Sequence, residues 1–491
     1  MNEYSAVATT GIYCRPGCGA RPHPRNVTPY GFAAAAEAAG YRACLRCRPY
    51  RAERPLRWVG SELLCRAIQL IVDGALDGST EPDLAARLGI SPRHLRRLVV
   101  EHVGATPDQL ARSRRAHFAR RLLDDTDLTI TDVAFASGFG SVRQLNRVFH
   151  TVFRASPSQL RARRRSDDRI LSDGALTLRL PFEPPLDWEA MLAFHADNAV
   201  GGVEHVTAAG YRRSVVVGGR PGALEITPGG PDHLLLRAHL PSWRDLIHVV
   251  QQARRIFGLD VDPTDAVEHL VDDPTIGPLV RASEGVRVPG SWEPYEVGVV
   301  AIVRQRMSSR GAARLLERLV ERYGVPAPEL SSLGLRRLFP PAERVAEADL
   351  TSIGFSAARA AALHGYARAV ATDRLHLDRR ASLDDLVGSV TSLPGVGLWA
   401  AHSIALRLGE PDAFPATDLG LQHAVERLTA REANPAALTA LAESWRPWRA
   451  HAAIRLWRCR VDTPNAAPAS DGPAVASSSR ELAGVLPGSA R

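Results

Sequence analysis

The sequence contains no lysine, so all 61 of its basic residues are arginine. Any mechanism that needs a lysine amine is therefore excluded. The sequence also lacks a run of about 18 uncharged apolar residues, and its N-terminus has no apolar segment of the signal-peptide kind. We therefore expect a cytoplasmic protein with no membrane partner. In that reducing setting, clustered cysteine thiols favour metal binding over disulfides.

Positive charge is concentrated in the first third of the chain. Residues 1–165 hold 26 Arg and 14 Asp or Glu, a net charge of +12, whereas the remainder holds 35 Arg and 39 acidic residues, a net charge of −4. A basic region of this kind is typical of proteins that bind a polyanion, most often nucleic acid. A solvated basic surface without a partner is the alternative. The length of 491 residues is enough for about three or four domains.

Four of the six cysteines lie in the first 47 residues, as Cys14-x3-Cys18 and Cys44-x2-Cys47. Two close pairs with a longer insert between them have the spacing of a tetrahedral zinc site with four thiolate ligands. A zinc-bound thiolate is either part of a structural staple or a nucleophile, and the spacing alone leaves both open. Between the pairs, the alanine-rich sequence predicts a helix from Thr28 to Gly40.

Two helix-turn-helix patterns follow, at residues 81–98 and 130–149. In the first, Gly89 is the expected turn and Ser91 caps the second helix. Two copies separated by a long helix resemble the AraC family of regulators, whose modules read successive major-groove segments on one face of DNA. Two helical hairpins with solvated arginines are the simpler alternative. The residues expected to contact bases or phosphates are Arg93, Arg96, Arg97, Arg143, Gln144, Asn146 and Arg147.

A second kind of DNA-binding pattern lies near the C-terminal end. Helices predicted at 382–393 and 398–408 are joined by a tight Leu-Pro-Gly-Val-Gly hairpin. We expect Gly395 and Gly397 to take positive φ and to leave N–H groups free for a DNA phosphate. Taken alone, this hairpin is only moderate evidence for DNA binding, because glycine turns between helices are common.

Asp418 strengthens the signal, because it lies at the expected start of the next helix, with Thr417 as the expected cap. An ordinary helix-capping aspartate is the alternative. The combination resembles the helix-hairpin-helix DNA glycosylase superfamily, and residues 181–457 resemble its AlkA-type branch, which excises alkylated bases such as 3-methyladenine. The resemblance implies that Asp418 is catalytic: it stabilises positive charge on the sugar and orients or deprotonates the attacking water. Superfamily members that also cut the DNA strand use a lysine amine, and this chain has no lysine. We therefore expect a monofunctional enzyme that leaves an abasic site.

The same resemblance supplies further residues. Trp399 and Trp457 match aromatic positions of the AlkA-type base pocket, where a cationic base binds an electron-rich ring face; core packing is the alternative for both. Ser403 stands where that family has a tyrosine, which leaves the range of excised bases open. Val288 is the predicted wedge that replaces the extruded base. A monovalent cation at the hairpin is a further expectation.

The sequence around the cysteines, from residue 5 to residue 50, resembles the N-terminal domain of Ada-type adaptive-response regulators. The resemblance implies that Cys14 irreversibly accepts a methyl group from a methylphosphotriester in DNA, and that Cys14, Cys18, Cys44 and Cys47 bind Zn²⁺. Zinc would keep the thiols deprotonated. Methylation would then lower the negative charge that faces the phosphate backbone and raise the affinity for DNA. An inert zinc ribbon is the alternative.

The sequence therefore predicts a multidomain, mainly α protein: a zinc α/β domain at 1–55, an AraC-type double helix-turn-helix domain at 60–165, an α+β subdomain of the AlkA-type N-terminal kind at 172–282, a helix-hairpin-helix glycosylase domain at 283–461 and a disordered tail at 462–491. We expect an adaptive-response protein that repairs alkylated DNA and activates transcription. We also expect it to be a monomer, to be associated with the nucleoid and to contact RNA polymerase. Two alternatives remain: a regulator with an inactive glycosylase-like sensor domain, and a repair enzyme whose helix-turn-helices only anchor it to DNA.

Overall fold

The computed structural model describes residues 4–51, 61–165, 168–170, 175–378 and 381–459. The tail predicted at 462–491 lies outside the described residues. Within them the chain forms a small mixed domain, two helix-turn-helix units, an antiparallel sheet with flanking helices and a helical domain. The predicted multidomain, mainly α fold class is confirmed.

The first domain is built on a four-stranded sheet with strand order β3-β1-β2-β4. Strands β1 and β2 and strands β1 and β3 pair antiparallel, whereas β2 and β4 pair in parallel. The helix predicted from Thr28 to Gly40 is wrong in its first part, because Thr28, Pro29 and Tyr30 belong to a strand that pairs with β1. The elements are β1 (Tyr4–Val7), β2 (Ile12–Cys14), β3 (Val27–Tyr30), α1 (Ala33–Ala38) and β4 (Arg42–Ala43), with short 3-10 helices at Pro24–Asn26 and Pro49–Arg51.

The second region is helical, as its apolar spacing predicts. Each helix-turn-helix unit begins with a short helix, turns at a glycine of positive φ (Gly89 or Gly138), and continues in a helix capped by a serine side chain, Ser91 or Ser141. The long helix between the units starts with a capping box at Thr106. The helices are α2 (Glu62–Val72), α3 (Glu81–Arg87), α4 (Pro92–Val103), α5 (Pro107–Asp125), α6 (Ile130–Ala136), α7 (Val142–Phe153) and α8 (Pro157–Ala162).

The third region is a five-stranded antiparallel sheet with strand order β5-β9-β8-β7-β6. Three short apolar runs in the sequence, at 176–180, 214–217 and 233–239, predict strands, and all three lie in this sheet. Its strands and first flanking helices are β5 (Leu176–Pro181), α9 (Trp188–Asn198), β6 (Glu204–Thr207), β7 (Gly210–Val217), β8 (Arg220–Gly230), β9 (His233–His239) and α10 (Leu246–Ile256).

The last region is helical, with one small strand pair. Its elements are α11 (Thr264–Leu270), α12 (Gly277–Ala282), α13 (Pro294–Arg304), α14 (Ser309–Tyr323), β10 (Val325–Pro326), β11 (Arg337–Leu338), α15 (Ala342–Ala346), α16 (Ala357–Ala371), α17 (Leu383–Thr391), α18 (Leu398–Arg407), α19 (Leu419–Thr429), α20 (Pro435–Leu441) and α21 (Arg449–Arg458), with 3-10 helices at Pro328–Leu333, Thr351–Ile353 and Ala442–Trp445.

The hydrophobic cores do not follow the domain boundaries. One continuous core joins the first domain, the second helix-turn-helix and the sheet, and it includes Tyr13, Phe118, Phe149 and Leu236. The first helix-turn-helix has its own core, which the N-terminal half of α5 shares, and the helical domain has a third. Helix α5 therefore connects the cysteine-bearing domain, both helix-turn-helix units and the sheet.

Buried ion pairs reinforce this junction. Arg48, directly after Cys47, has a left-handed backbone (φ 48°), and its guanidinium donates to the buried carboxylate of Asp168. Asp125, at the end of α5, accepts from Arg51 (2.9 Å) and from Arg179 of β5 (3.0 Å) through the same oxygen. In the sequence, the charged run from Arg161 to Arg169 predicts a linker. Asp168 of this run is instead packed against the first domain, because its carboxylate pairs with the buried Arg48.

Candidate metal centre, DNA-binding surface and active site

The four cysteine sulfurs of the first domain converge on one point. Cys14 ends β2 and Cys44 directly follows β4, and the parallel pairing of these strands brings the two residues side by side. Cys18 and Cys47 lie in the loops that follow, and all four Sγ atoms lie within 4.8 Å of one another. A tetrahedral zinc ion with Zn–S bonds of about 2.3 Å sets its sulfurs about 3.8 Å apart. The residues therefore fit a four-thiolate zinc ion.

The electrostatics of the cluster also call for a cation. Burial, reinforced by the neighbouring Cys47 and Cys44, raises the pKa of Cys14, and burial raises the pKa of Cys47 to about 12. The pKa of Cys44 is lowered in spite of its burial, because backbone N–H groups of Cys47 and Arg46 donate to it. Four thiolates this close repel one another, and a bound divalent metal is what holds such a set deprotonated.

A hydrogen-bonded cluster connects the cysteine-bearing strand to α5. The buried hydroxyl of Tyr13, next to Cys14 in the chain, donates to Glu37 Oε1 at 2.7 Å. His117 Nε2 of α5 lies 2.7 Å from the same carboxylate oxygen and 3.2 Å from the Tyr13 hydroxyl. Burial, together with the nearby Glu37 carboxylate, raises the pKa of Tyr13, so this hydroxyl stays protonated as a donor. No local pattern in the sequence predicts this cluster, because its partners lie far apart in the chain.

The helix-turn-helix units present most of the predicted DNA contacts to solvent. Five arginines are exposed on the outer faces of α4 and α7: Arg93, Arg96, Arg97, Arg143 and Arg147. Gln144 and Asn146 are half-buried and already hydrogen-bonded, since Gln144 Oε1 accepts from Gly140 N (2.9 Å) and Asn146 Nδ2 donates to Val142 O (2.9 Å). The two amides therefore shape the second unit in the DNA-free structure, and their contact with DNA stays a prediction.

Asp418 lies at a convergence of three hydrogen-bond donors. It is itself the N-cap of α19, since Oδ1 accepts from Leu421 N at 2.9 Å, so the predicted cap at Thr417 is wrong. Trp457 Nε1 donates to the same oxygen at 3.1 Å, and Trp399 Nε1 donates to Oδ2 at 2.7 Å. Both predicted pocket tryptophans are therefore at Asp418, with their indole N–H groups directed to its carboxylate. Such donors hold a carboxylate in one orientation and stabilise its negative charge.

The hairpin before α18 differs in detail from its prediction. Gly395 has positive φ (83°), and a Cβ there would lie 2.8 Å from Ala362 Cβ, so only glycine fits. Gly397 does not have positive φ (−97°), because it is the extended N-cap of α18. Its N–H is not free either, because it donates to Gln305 Oε1 (2.9 Å), while Gln305 Nε2 donates to Gly395 O (3.1 Å). The cation expected at the hairpin stays a prediction.

Gln305 lies in the short loop between α13 and α14, 92 residues before Gly397, and sequence analysis missed it. Its neighbour Arg306 is exposed and has a positive φ of 53°, a conformation that costs a non-glycine residue free energy. No sequence pattern marks this residue, since strain of this kind is visible only in the folded backbone.

The predicted wedge has a different environment from the one expected. Val288 is half-buried and packs against the core of the helical domain. It lines a cavity with Val72 and Asp73 at the end of α2, so it faces the helical region that precedes the sheet. This placement argues against a wedge, which must be exposed to enter DNA. Ser403 lies one helical turn after Trp399, and its hydroxyl is buried without a hydrogen-bond partner.

Four parts of the chain match known protein families. Residues 3–50 match the metal binding domain of Ada, residues 84–163 a helix-turn-helix domain, residues 177–293 the AlkA N-terminal domain, and residues 299–450 the HhH-GPD superfamily of base excision DNA repair proteins. Over 457 residues, 92% of both chains, the sequence is 39% identical to the probable bifunctional transcriptional activator/DNA repair enzyme AlkA of Mycobacterium tuberculosis. The chain belongs to this bifunctional family. The predicted fusion of Ada-type, AraC-type and AlkA-type parts is thereby confirmed.

Two further similarities concern the C-terminal half of this family member. It is 31% identical to DNA-3-methyladenine glycosylase 2 of Escherichia coli, over 57% of this chain and 95% of that one. A solved 3-methyladenine DNA-glycosylase from Archaeoglobus fulgidus shares the fold, with a TM-score of 0.50, 23% identity, and coverage of 57% of this chain and 96% of that chain. In the part of the chain that the structure describes, no helix is both long and apolar enough to cross a membrane.

Proposed function

We propose that the protein is an adaptive-response factor with two activities on alkylated DNA. The C-terminal half hydrolyses the N-glycosidic bond of alkylated bases of the 3-methyladenine type. The N-terminal domain takes a methyl group from a methylphosphotriester and thereby switches on the helix-turn-helix pair. The first activity is supported by one observation. Two indole N–H groups and a helix N-terminus hold the Asp418 carboxylate beside the hairpin.

The geometry at Asp418 suits hydrolytic base excision. Alkylation of a ring nitrogen makes the base cationic, so it departs with the electron pair of the bond to C1′ and leaves positive charge on the sugar. The Asp418 carboxylate stabilises that charge and orients a water, whose oxygen bonds to C1′ while its proton passes to the carboxylate or to solvent. Because the chain has no lysine, no lysine Schiff base can form, and the expected product is an abasic site in an intact strand.

The two tryptophans serve this reaction in two ways. Their N–H groups fix the carboxylate, so the indole edges are committed to Asp418. Both rings are half-buried against the core of the helical domain, and a cationic base binds the part of the ring face that stays exposed by cation–π attraction. The buried, unpartnered hydroxyl of Ser403 lies one turn further along α18 and adds a polar group near this pocket.

We also propose Arg306 in place of Val288 as the residue that enters the duplex. It is exposed, and its neighbour Gln305 is bonded to both sides of the hairpin, so the loop is fixed relative to the DNA-binding motif. Its left-handed backbone is the kind of local strain that clusters at functional sites.

Base release from methylated DNA tests the glycosylase. Wild-type protein is expected to release free alkylated base, and Asp418→Asn, which keeps the shape and the capping hydrogen bond but removes the charge, is expected to lose most of this activity, about 100-fold or more. Equal release by both proteins would overturn the catalytic role of Asp418. An inactive wild type that still regulates a promoter would support the sensor-domain alternative.

In the methyl transfer, the Cys14 sulfur forms a bond to the methyl carbon while the carbon–oxygen bond of the phosphotriester breaks, and the phosphodiester leaves as an anion with the bonding electron pair. Zinc, when bound, supplies the thiolate form of the cysteines at neutral pH. Cys18, Cys44 and Cys47 hold the metal with Cys14 throughout. The family match and the sulfur cluster support this role.

Methylation removes one negative charge from four thiolates, so the domain repels DNA phosphates less. Its contacts with α5 carry the change to the two DNA-reading units, and activation then involves contact with RNA polymerase. Mass spectrometry after exposure to methylphosphotriester DNA tests the acceptor: a methyl group is expected on Cys14 and on no other residue. Footprinting before and after methylation tests the switch, and promoter protection that does not depend on methylation would favour simple anchoring.

A further inference from the structure

Exposed leucines flank the candidate reactive carboxylate. Five large apolar side chains are exposed among the described residues: Val100, Val216, Leu398, Leu419 and Leu428. Two of these five are adjacent to the Asp418 site, since Leu398 precedes Trp399 and Leu419 directly follows Asp418. They are also the two most exposed, at 55% and 67%. A single exposed leucine needs no explanation, but a pair concentrated at one site does.

The hydrogen bonds at Asp418 explain why the two leucines lie near it. Leu398 is the first residue of α18 and Leu419 is the first residue of α19. The 2.7 Å bond from Trp399 Nε1 to Asp418 Oδ2 holds the first turns of these helices together. Further along the same helices Ala400, Ala401 and Leu421 are buried in the core, whereas the two leucines are exposed to solvent.

We propose that Leu398 and Leu419 form an apolar clamp that contacts deoxyribose rings of the damaged strand on both sides of Asp418. The inference rests on the proposed glycosylase function. For Asp418 to act, its carboxylate must come close to C1′ of the extruded nucleotide, so the side chains next to it on the solvent side meet the sugars. Leucine has no hydrogen-bond donor for a phosphate, whereas the C–H faces of deoxyribose are apolar.

The clamp has a consequence for the chemistry. Two leucines that close over the sugar exclude bulk water from the space around the carboxylate. In that less polar environment the attraction between the Asp418 carboxylate and the positive sugar is stronger. The leucines are therefore positioning residues, which act by seating the strand and by displacing water.

Binding to a duplex that contains a tetrahydrofuran abasic-site analogue tests the clamp without depending on base release. The full-length double variant Leu398→Ser/Leu419→Ser is expected to bind this duplex about tenfold more weakly than wild type. Binding to undamaged duplex, which the helix-turn-helix pair supports, is expected to be unchanged. The conservative variant Leu398→Met/Leu419→Met is expected to restore most of the affinity, because it restores the apolar area.

Val216→Ser and Leu428→Ser are matched controls, since they remove exposed apolar side chains away from the site. The clamp is overturned if the double serine variant binds the analogue as tightly as wild type, or if the control variants weaken binding equally. Failure of the proposed function is a separate result: a wild type that releases no alkylated base would refute glycosylase activity, whatever the leucine variants bind.

Discussion

The hydroxyl of Tyr13 lies 3.2 Å from Nε2 of His117, although the two residues are 104 positions apart in the chain. Tyr13 is next to the candidate methyl acceptor, and His117 is on α5, the helix between the two DNA-reading units. The Glu37 carboxylate bonds to both side chains and completes the cluster. The residue next to Cys14 therefore has a direct polar contact with the helix that connects both units.

Substitution of His117 by alanine should weaken this coupling. The variant is expected to bind zinc and accept a methyl group normally, because the sulfur cluster and the Tyr13–Glu37 bond remain. Its methylation-dependent gain in operator affinity is expected to fall by about fivefold or more. Affinity is measured for unmethylated and methylated protein on a promoter fragment found by footprinting.

His102→Ala is the matched control, since His102 is exposed at the end of α4 and bonds only within its own helix. It should leave the gain intact. An unchanged gain in His117→Ala would show that the cluster supports the fold without carrying the signal.

Substitution of Trp399 by phenylalanine separates the two roles of this residue. Phenylalanine keeps an aromatic face but removes the N–H bond to Asp418 Oδ2. Loss of a hydrogen bond to a charged group is expected to lower the single-turnover excision rate by about 10- to 100-fold. Trp457→Phe, which removes the longer bond to Oδ1, is expected to cause a smaller loss. If both variants excise at the wild-type rate, the indole N–H groups do not position the carboxylate.

Local patterns in the sequence predict those features of the structure that depend on residues close together in the chain. The apolar spacing and the cap at Ser91 predict helices that the structure contains. The cysteine spacing predicts the sulfur cluster, and a hairpin followed by Asp418 predicts a site that the two tryptophans complete.

The features that the sequence does not predict depend on contacts between segments that lie far apart in the chain. Thr28–Tyr30 was predicted as helix because alanines follow it, but pairing with β1 makes it a strand. The Gly397 N–H was expected to be free, but Gln305 from a remote loop bonds to it. Val288 was predicted to be the wedge, but it lines a cavity together with the end of α2. None of these contacts has a signature in a local window of sequence.

Substitution of Arg306 by glycine tests the proposed wedge. Glycine adopts positive φ without strain, so Arg306→Gly is expected to leave the folded state as stable as before or slightly more stable. The excision rate is nevertheless expected to fall at least about tenfold, since nothing then fills the space of the extruded base. Thermal unfolding and single-turnover excision are measured on the same preparation.

Asp373→Gly is the control, because Asp373 is another exposed residue with positive φ (54°). It should retain normal excision. A purely structural role for Arg306 would be indicated if Arg306→Gly unfolded at a lower temperature and kept full activity.

Removal of zinc should affect the two halves differently. The purified protein is expected to contain one zinc ion per chain, held by four sulfurs. Chelation should destabilise the first domain and weaken operator binding, because this domain shares its core with α5 and the second helix-turn-helix unit. Base excision is expected to persist, since the core of the helical domain is separate. Operator binding that survives complete loss of zinc would contradict this prediction.

Two buried histidines should make the C-terminal half sensitive to acid. Burial, with Arg407 nearby, lowers the pKa of His195 to about 3, and burial, with Arg455 nearby, lowers the pKa of His451 to about 3. Both imidazoles are therefore neutral in the folded state, whereas in the unfolded chain they protonate near pH 6.5. Their contribution to stability is fully present above pH 6.5 and is lost as the pH falls towards 3. At pH 5 the loss is about 2 kcal/mol for each histidine.

The decrease in the apparent unfolding temperature between pH 7.5 and pH 5 measures this effect. His195→Gln is expected to make the decrease smaller, because glutamine does not titrate and its amide can donate to Ile256 O, which lies 3.1 Å from the imidazole. His376→Gln, at an exposed histidine, is expected to leave the decrease unchanged. Equal acid sensitivity in wild type and His195→Gln would mean that other groups, such as the carboxylates paired with buried arginines, dominate the loss of stability in acid.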